Sequence, residues 1–295
     1  MPKVIARIRG GLGNQLFCYA AARRLALVNK AELAIDHITG FVRDGLYRRT
    51  YLLDGFGIPC RKATSAERLE PFERLRRAVA KWVNRRRPFF KRWYLQQEGR
   101  EFDPRLLDYR VSGTVYLDGL WQSEGYFKDV EAVVRKDLEI IPPEEEAARR
   151  LAGQIREVEA VAVHVRWFDP PGSGPSAYNL PVGFYRRAMA EMERRVDKPL
   201  YVLFSDDPEA ARSMLALPPE RTLVVGEILK ATDPVTDLWL MTQCRHFIIA
   251  NSTFSWWGAW LADNKDKIVI APDIRLEGKT AWGFRGLLPD RWLAL

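Results

Sequence analysis

VIARIRGGLGNQLFCYAAARRLAL, residues 4–27, is the stretch on which the fold is read. Residues 4–8 alternate and are rich in β-formers, so they read as a strand. Gly10, Gly11 and Gly13 follow as a tight turn, and from Asn14 the residues are strong helix formers. A buried strand that turns through glycines into a helix presents bare N–H groups to an anion, which makes a phosphate-bearing ligand the first hypothesis. No Gly-Lys-Ser/Thr follows, so the turn is not a P-loop. Leu16 stands where a dinucleotide fingerprint needs its third Gly or Ala, although Asp36 does close a plausible second strand at 32–36. The bland alternative is a structural turn with no ligand. Against it stand the amides of Asn14 and Gln15, which can cap the helix but can equally donate to phosphate or sugar.

Outward from this stretch, the bulk properties bound the answer. The chain has 295 residues, 47% of them hydrophobic, and a formal net charge of +8. That suits one large domain or two of ordinary size. No apolar run reaches transmembrane length and the first residues carry no cleavable signal pattern, so a cytoplasmic protein is expected. Cys18, Cys60 and Cys244 are scattered without metal-ligand spacing. With only His37, His164 and His246 in the chain, a histidine-based metal site is not expected. Much of the excess charge lies in RLRRAVAKWVNRRRPFFKRW, residues 74–93. It reads as a solvated basic helix, or as an amphipathic contact with an anionic membrane, because Trp82, Phe89, Phe90 and Trp93 interleave with the cations. Nucleic acid is not an expected partner, since no DNA- or RNA-binding motif accompanies the patch.

The second half is regular. Strands are expected at 158–165, 199–204, 222–225, 246–250 and 267–271, with helices between them at 182–195, 207–215, 234–244 and 253–262. That alternation predicts a doubly wound α/β domain. The first half is less regular, with strands at 4–8, 32–36 and 114–117 and helices at 66–83 and 124–136. The double proline at 142–143 suggests a division into 1–150 and 151–295, with ligands at the carboxyl ends of the strands.

Three strand ends of the second half carry polar residues. VAVHVRWFD sets His164 and Arg166 two apart, hence on one side, and an Arg at a strand's carboxyl end is a good anion reader unless Asp169 claims it for structure. LYVLFSDDPEAAR ends a strand in Ser205, Asp206 and Asp207, which can cap a helix or accept hydrogen bonds from a base or ribose. FIIANSTFSWWGAWLA leads from a strand through Asn251, Ser252, Thr253 and Ser255 into an apolar helix, a capping pattern that also binds phosphate. Trp256, Trp257 and Trp260 read as packing residues.

GGLGNQLFCYAAARRLA resembles the N-terminal signature of the bacterial α-1,2-fucosyltransferases, family 11 of the glycosyltransferases. LDGLWQSEGYF (117–127), HVRWFD, FSDD and ANSTFSWWGAWL resemble that family's later blocks in the right order, whereas 62–112 carries no part of the resemblance. The resemblance implies a GT-B-like fold of two Rossmann-like α/β domains facing a cleft, with the acceptor on the N-terminal domain and the GDP-sugar on the C-terminal one. It implies metal-independent, inverting transfer of L-fucose from GDP-β-L-fucose to the 2-OH of a galactose in an oligosaccharide acceptor, with no cofactor. Arg166 would bind the β-phosphate and stabilise the leaving GDP. His164 and Asp206 would contact guanosine, and Ser252, Thr253, Phe254 and Ser255 would line the diphosphate site. Asn14, with Gly11 and Gly13, would reach the donor from the N-terminal side. A role in surface polysaccharide synthesis at the inner face of the membrane is implied too. The usual His-x-Arg-Arg-Gly-Asp is altered, because Trp167 and Phe168 replace the second Arg and the Gly. That loss of a cation keeps other readings open: another GDP-sugar, or a catalytically silent nucleotide- or glycan-binding protein. The glycine turn keeps a nicotinamide-dependent oxidoreductase in view. Asp36 and Asp118 are the first-half acids considered for a general base, and 170–181 reads as a loop near the site.

Overall fold

The computed structural model describes residues 1–168, 176, 178–230, 233–273 and 286–295; Asp169 and most of the loop expected at 170–181 lie outside the described residues. The chain forms two compact units. The first is Met1–Glu139 with residues 286–287, and the second takes the chain from Ile140 onward with the C-terminal residues from Leu288. The division thus falls ahead of the double proline. Residues up to 150 include part of a helix, Glu146–Arg156, that sits in the second unit, where Leu151 and Ile155 are buried.

The first unit contains β1 (Lys3–Arg7), α1 (Leu12–Val28), β2 (Glu32–Asp36), β3 (Arg61–Lys62), α2 (Glu73–Arg85), β4 (Tyr94–Gln96), β5 (Thr114–Asp118) and α3 (Glu131–Asp137). Its sheet runs β3-β2-β1-β5-β4, parallel throughout. Helix α1 is buried over most of its surface, Leu16, Phe17, Tyr19 and the alanines 20–22 included. It carries little amphipathic pattern because it has little solvent face. The expected helix at 66–83 begins only at Glu73: Pro71 removes a donor, and Phe72 is left-handed at φ +65°. Strands β3 and β4 were not foreseen. They are two and three residues long, too short for a period to register.

The second unit contains α4 (Glu146–Arg156), β6 (Ala160–Val165), α5 (Val182–Glu193), β7 (Leu200–Ser205), α6 (Pro208–Leu215), β8 (Thr222–Val224), α7 (Val225–Ile228), α8 (Pro234–Thr242), β9 (His246–Ile248), α9 (Thr253–Leu261), β10 (Val269–Ala271) and β11 (Leu293–Ala294). Its parallel sheet has the order β11-β10-β9-β6-β7-β8. Every residue of β6 is buried, as a central strand covered on both faces must be. Val161, Val163 and Val165 pack one face with Phe184, Ala188 and Ile248, at roughly 1.5–3 kcal/mol for each large apolar side chain removed from water. Trp256, Trp257 and Trp260 are fully buried, and Trp256 lies 5.3 Å from Trp292, so their expected packing role holds.

Two features of this topology position the chemistry. From β6 the chain builds β7 and β8 on one side, then crosses back to place β9 on the other. The strand order therefore switches between β6 and β9, where the connections diverge and leave a crevice at the carboxyl ends. The first sheet has its own switch between β1 and β5.

Candidate donor site

The residues that follow β6 and β9 are the ones that carried the sequence reading. His164 lies on β6 and Arg166 directly after it; Ser252 caps α9, its Oγ accepting from the Phe254 N–H at 3.3 Å. The two sides meet through side chains, with His164 Nδ1 2.8 Å from Ser255 Oγ and the His164 and Phe254 rings 5.5 Å apart. Burial, with the nearby Arg166 charge, lowers the His164 pKa to about 3, so at neutral pH the imidazole is uncharged. Ser255 Oγ donates weakly to the Ser252 carbonyl at 3.4 Å. The tautomer that matches carries its proton on Nδ1 and leaves Nε2 as an acceptor. His164 is thus a hydrogen-bonding group, and the reading of anionic charge falls to Arg166.

Arg166 has a partner already. Its Nη1 donates to Asp206 Oδ2 at 2.6 Å, while the Trp167 N–H donates to Asp206 Oδ1 at 3.0 Å. Asp206 sits just past β7, and Asp207 caps α6 by accepting from the Ala210 N–H at 3.0 Å. The two adjacent acids are therefore divided, one for the helix and one for the arginine. The aromatic pair that replaces Arg-Gly has visible work. Trp167 packs on the core and its Nε1 reaches the Asp207 carbonyl at 3.4 Å. Phe168 lies with its ring centre 5.6 Å from the Arg166 guanidinium carbon, a cation–π contact that steadies the side chain. Both members of the Arg166–Asp206 pair are about one-third exposed. A pair of that kind is worth at most about 1 kcal/mol and opens readily for a better anion.

Asn251 belongs to the polar strand end read from the sequence, although the family resemblance assigns it no role. It is buried, its Nδ2 donates to the Tyr178 carbonyl at 2.7 Å, and its Oδ1 has no partner among the described residues. The signal for it was in the sequence, as the first polar residue after an apolar strand.

In the first unit the glycine turn forms as expected. Gly10 takes φ +79°, and a side chain there would collide with Asn14. Helix α1 begins at Leu12 after Gly11, with no side-chain cap and no acid in its first turn. Its first N–H groups keep their pull on an anion. Gln15 does not serve a ligand: it donates to the carbonyls of Gly10 and Thr50 and accepts from the Leu52 N–H, so it ties the 50–52 segment to the turn. Asn14 is half-buried and accepts from Gln122 Nε2 at 2.7 Å. Two further cations stand beside the turn. Arg9 is half-buried with a buried Nε that has no partner among the described residues, and Arg49 comes within 3.8 Å of where a Gly11 Cβ would lie. Both were missed because the first half contains many arginines and spacing alone ranks none of them.

The two first-half acids are not bases. Asp36 is fully buried and accepts from the Thr39 N–H, the Thr39 hydroxyl and the Tyr116 hydroxyl. Asp118 pairs with Arg7 at 3.1 Å and Lys81 at 2.9 Å and accepts from the Tyr94 hydroxyl at 2.8 Å. Those cations hold its carboxyl well below the usual range despite burial. Asp118 so placed has neither the basicity nor the access to take a proton, and the enclosed Asp36 lacks the access. Among the described residues, no three His, Cys, Asp or Glu side chains come together as a metal-ligand set.

Two parallel α/β units, with an arginine and a Ser/Thr helix start at the second sheet's switch point, define a GT-B-like glycosyltransferase. Residues 64–278 match the pattern of glycosyl transferase family 11, and the chain belongs to that family. The match includes most of 62–112, which the sequence reading had left outside the resemblance. An α-1,2-colitosyltransferase of Escherichia coli is 29% identical over 300 residues, covering 100% of this chain and 99% of its own. The human galactoside α-(1,2)-fucosyltransferase 1 is 28% identical over 165 residues, 52% of this chain and 45% of its own. In fold, the chain is similar to the α-1,6-fucosyltransferase NodZ soaked with GDP-fucose, with a TM-score of 0.52 over 92% of this chain and 95% of that one, at 16% identity.

Proposed function

We propose that the protein transfers L-fucose from GDP-β-L-fucose to the 2-OH of a galactoside, with inversion and without a metal ion. The observation that carries this reading is the meeting of β6 and the start of α9 at one switch point, through His164 and Ser255, with Arg166 two residues beyond His164. In the reaction the acceptor hydroxyl attacks the anomeric carbon as the bond to the GDP oxygen breaks, through a transition state with oxocarbenium character. Negative charge grows on the departing diphosphate. Arg166 leaves Asp206 to meet it, assisted by the N–H groups at the start of α9. His164, neutral and fixed by Ser255, offers hydrogen bonds to the nucleotide without adding charge, and Asp206, once released, is free to accept from guanosine. Within the first unit, the turn at Gly11 and Gly13 and the Asn14 side chain present N–H groups suited to an anion. The α-1,2 linkage in the names of two relatives and the GDP-fucose soaked into NodZ support donor and linkage.

A second reading is another GDP-sugar as donor. It is favoured by the colitosyl transfer named for the Escherichia coli relative and by Trp167 in place of the second arginine. A donor-by-acceptor activity screen with purified protein, run with and without EDTA, tests both. Turnover of GDP-fucose with a galactoside, unchanged by EDTA, is expected. Turnover of a different GDP-sugar alone selects the second reading. GDP binding without any transfer selects a silent binding protein.

Peripheral membrane contact belongs to the same proposal. Helix α2 turns its apolar side outward: Phe72, Leu75, Val79 and Trp82 are 72%, 66%, 52% and 60% exposed. Arg74, Arg76, Arg85 and Arg86 flank them. An apolar stripe rimmed by arginines suits an anionic bilayer surface. Among the described residues no helix is long and apolar enough to cross a membrane. Co-sedimentation with phosphatidylglycerol vesicles, lost on Leu75→Ser/Trp82→Ser, is the expected result. Equal binding to neutral vesicles counts against it.

A further inference from the structure

The inner side of α2 covers a second, unassigned site. A cavity of about 620 Å³ lies between α2, the end of β1 and the 39–43 segment. Among the described residues its lining carries five cationic side chains, Arg7, Arg43, Arg74, Arg77 and Lys81, against one carboxylate, Glu73. The segment can lie this close to β1 because residue 40 is glycine, where a Cβ would fall 1.8 Å from the Ile8 carbonyl oxygen.

The cations are not equivalent. Arg7 and Lys81 are committed to Asp118, and Arg7 also donates to Thr39. Arg77 is different. It is 7% exposed, its Nη2 stands 3.7 Å from Glu73, and its buried Nη1 has no hydrogen-bond partner among the described residues. A buried guanidinium with an unanswered N–H keeps the cost of its lost hydration, more so because the group is charged. An anion entering the cavity removes it. Arg43 and Arg74 stand exposed beside it at the rim.

We propose that this cavity binds an anionic group, a carboxylate or a phosphate, and that the group belongs to the acceptor. The second clause rests on the transferase reading; the first does not. The chemistry has two sources, an acidic sugar next to the acceptor galactose or a phosphate through which the glycan is attached.

Two experiments test it at low salt. In the first, inorganic phosphate is titrated calorimetrically into the Arg166→Ala protein, which lacks the guanidinium of the donor site. One binding event is expected, weakened at least tenfold by adding Arg43→Ala and Arg74→Ala, both exposed positions, and by Arg77→Met, which keeps the buried stem. No binding to Arg166→Ala, or binding indifferent to the cavity substitutions, overturns the site. In the second, the otherwise wild-type enzyme is given three acceptors: methyl β-lactoside, a galactosyl-glucuronic acid and a galactosyl-N-acetylglucosamine 1-phosphate. One of the two acidic acceptors is expected to show a KM at least tenfold below the neutral one. Arg43→Ala/Arg74→Ala should erase that advantage while leaving kcat and the neutral KM in place. Which acidic acceptor gains identifies the source, and equal KM for all three overturns the assignment to the acceptor. Failure of all transfer, with GDP-fucose and with every other GDP-sugar of the donor screen, refutes the transferase reading and leaves the phosphate titration standing.

Discussion

The two sheets are built alike and end differently. Each is parallel, each reverses its strand order beside its central strand, and each brings charged residues to the carboxyl ends at that reversal. In the first unit these residues, Arg7 on β1 and Asp118 on β5, are enclosed with Lys81 and Tyr94 and satisfy one another. In the second unit, Arg166 and Asp206 pair at the surface, where the pair can part. A strand-end charge therefore does not announce function. Burial and the number of fixed partners decide whether it holds the fold or waits for a ligand.

The most damaging way to probe this contrast is at the buried end. Asp118→Asn should cost about 3 kcal/mol of folding stability, because the buried carboxylate is lost and the half-buried Arg7 and Lys81 are left without their counter-charge. Urea unfolding measures it, and a loss below 1 kcal/mol would place that cluster with the exposed kind. At the other end, Arg166→Ala should leave unfolding unchanged within about 0.5 kcal/mol. Its kcat should fall about 10²–10³-fold, or about 2.7–4 kcal/mol. Near-native turnover would remove Arg166 from the leaving-group role.

The pH dependence of stability sharpens the comparison further. The folded pKa of His164 is lowered from about 6.5 to about 3. Above pH 6.5 both folded and unfolded chains hold the ring neutral. As pH falls through the window, only the unfolded chain takes up the proton, so stability is lost toward acid at up to about 1.4 kcal/mol per pH unit. His246, also lowered by burial, adds to the same window. Between pH 7 and 4.5, above the range where Asp118 protonates, His164→Asn should flatten the slope, and an unchanged slope would show that His164 does not carry it. The smallest effect expected is at Asp206. Replacing it with Asn frees Arg166 and should tighten inorganic pyrophosphate binding by up to about fivefold, the equivalent of one surface ion pair. The same change should weaken guanosine, so a loss of affinity for both ligands would contradict the competition between Asp206 and phosphate.

Much of this was legible in the chain. The strand-turn-helix at 4–27, the buried β6 and the Ser252 cap follow from period, glycine placement and capping chemistry. Those are local rules, and the residues obey them with their neighbours. Less visible were β3, β4 and β11, where short strands rest on pairing with distant segments. The late start of α2 was marked by Pro71 and passed over.

What the sequence alone determined is the strand–turn–helix that opens the first unit, the βα alternation of the second, and the chemical type of the second unit's strand ends, since backbone preference and apolar spacing act over a few residues. Only the tertiary structure decided which charges are spent. It committed Asp36 and Asp118 to the interior, set Arg166 against Asp206, and left Arg77, on a helix whose apolar side faces outward, buried with an N–H that has no partner among the described residues. The reason is that the energy of a charge depends on its surroundings far more than on its identity. Those surroundings are assembled by residues tens or a hundred positions apart.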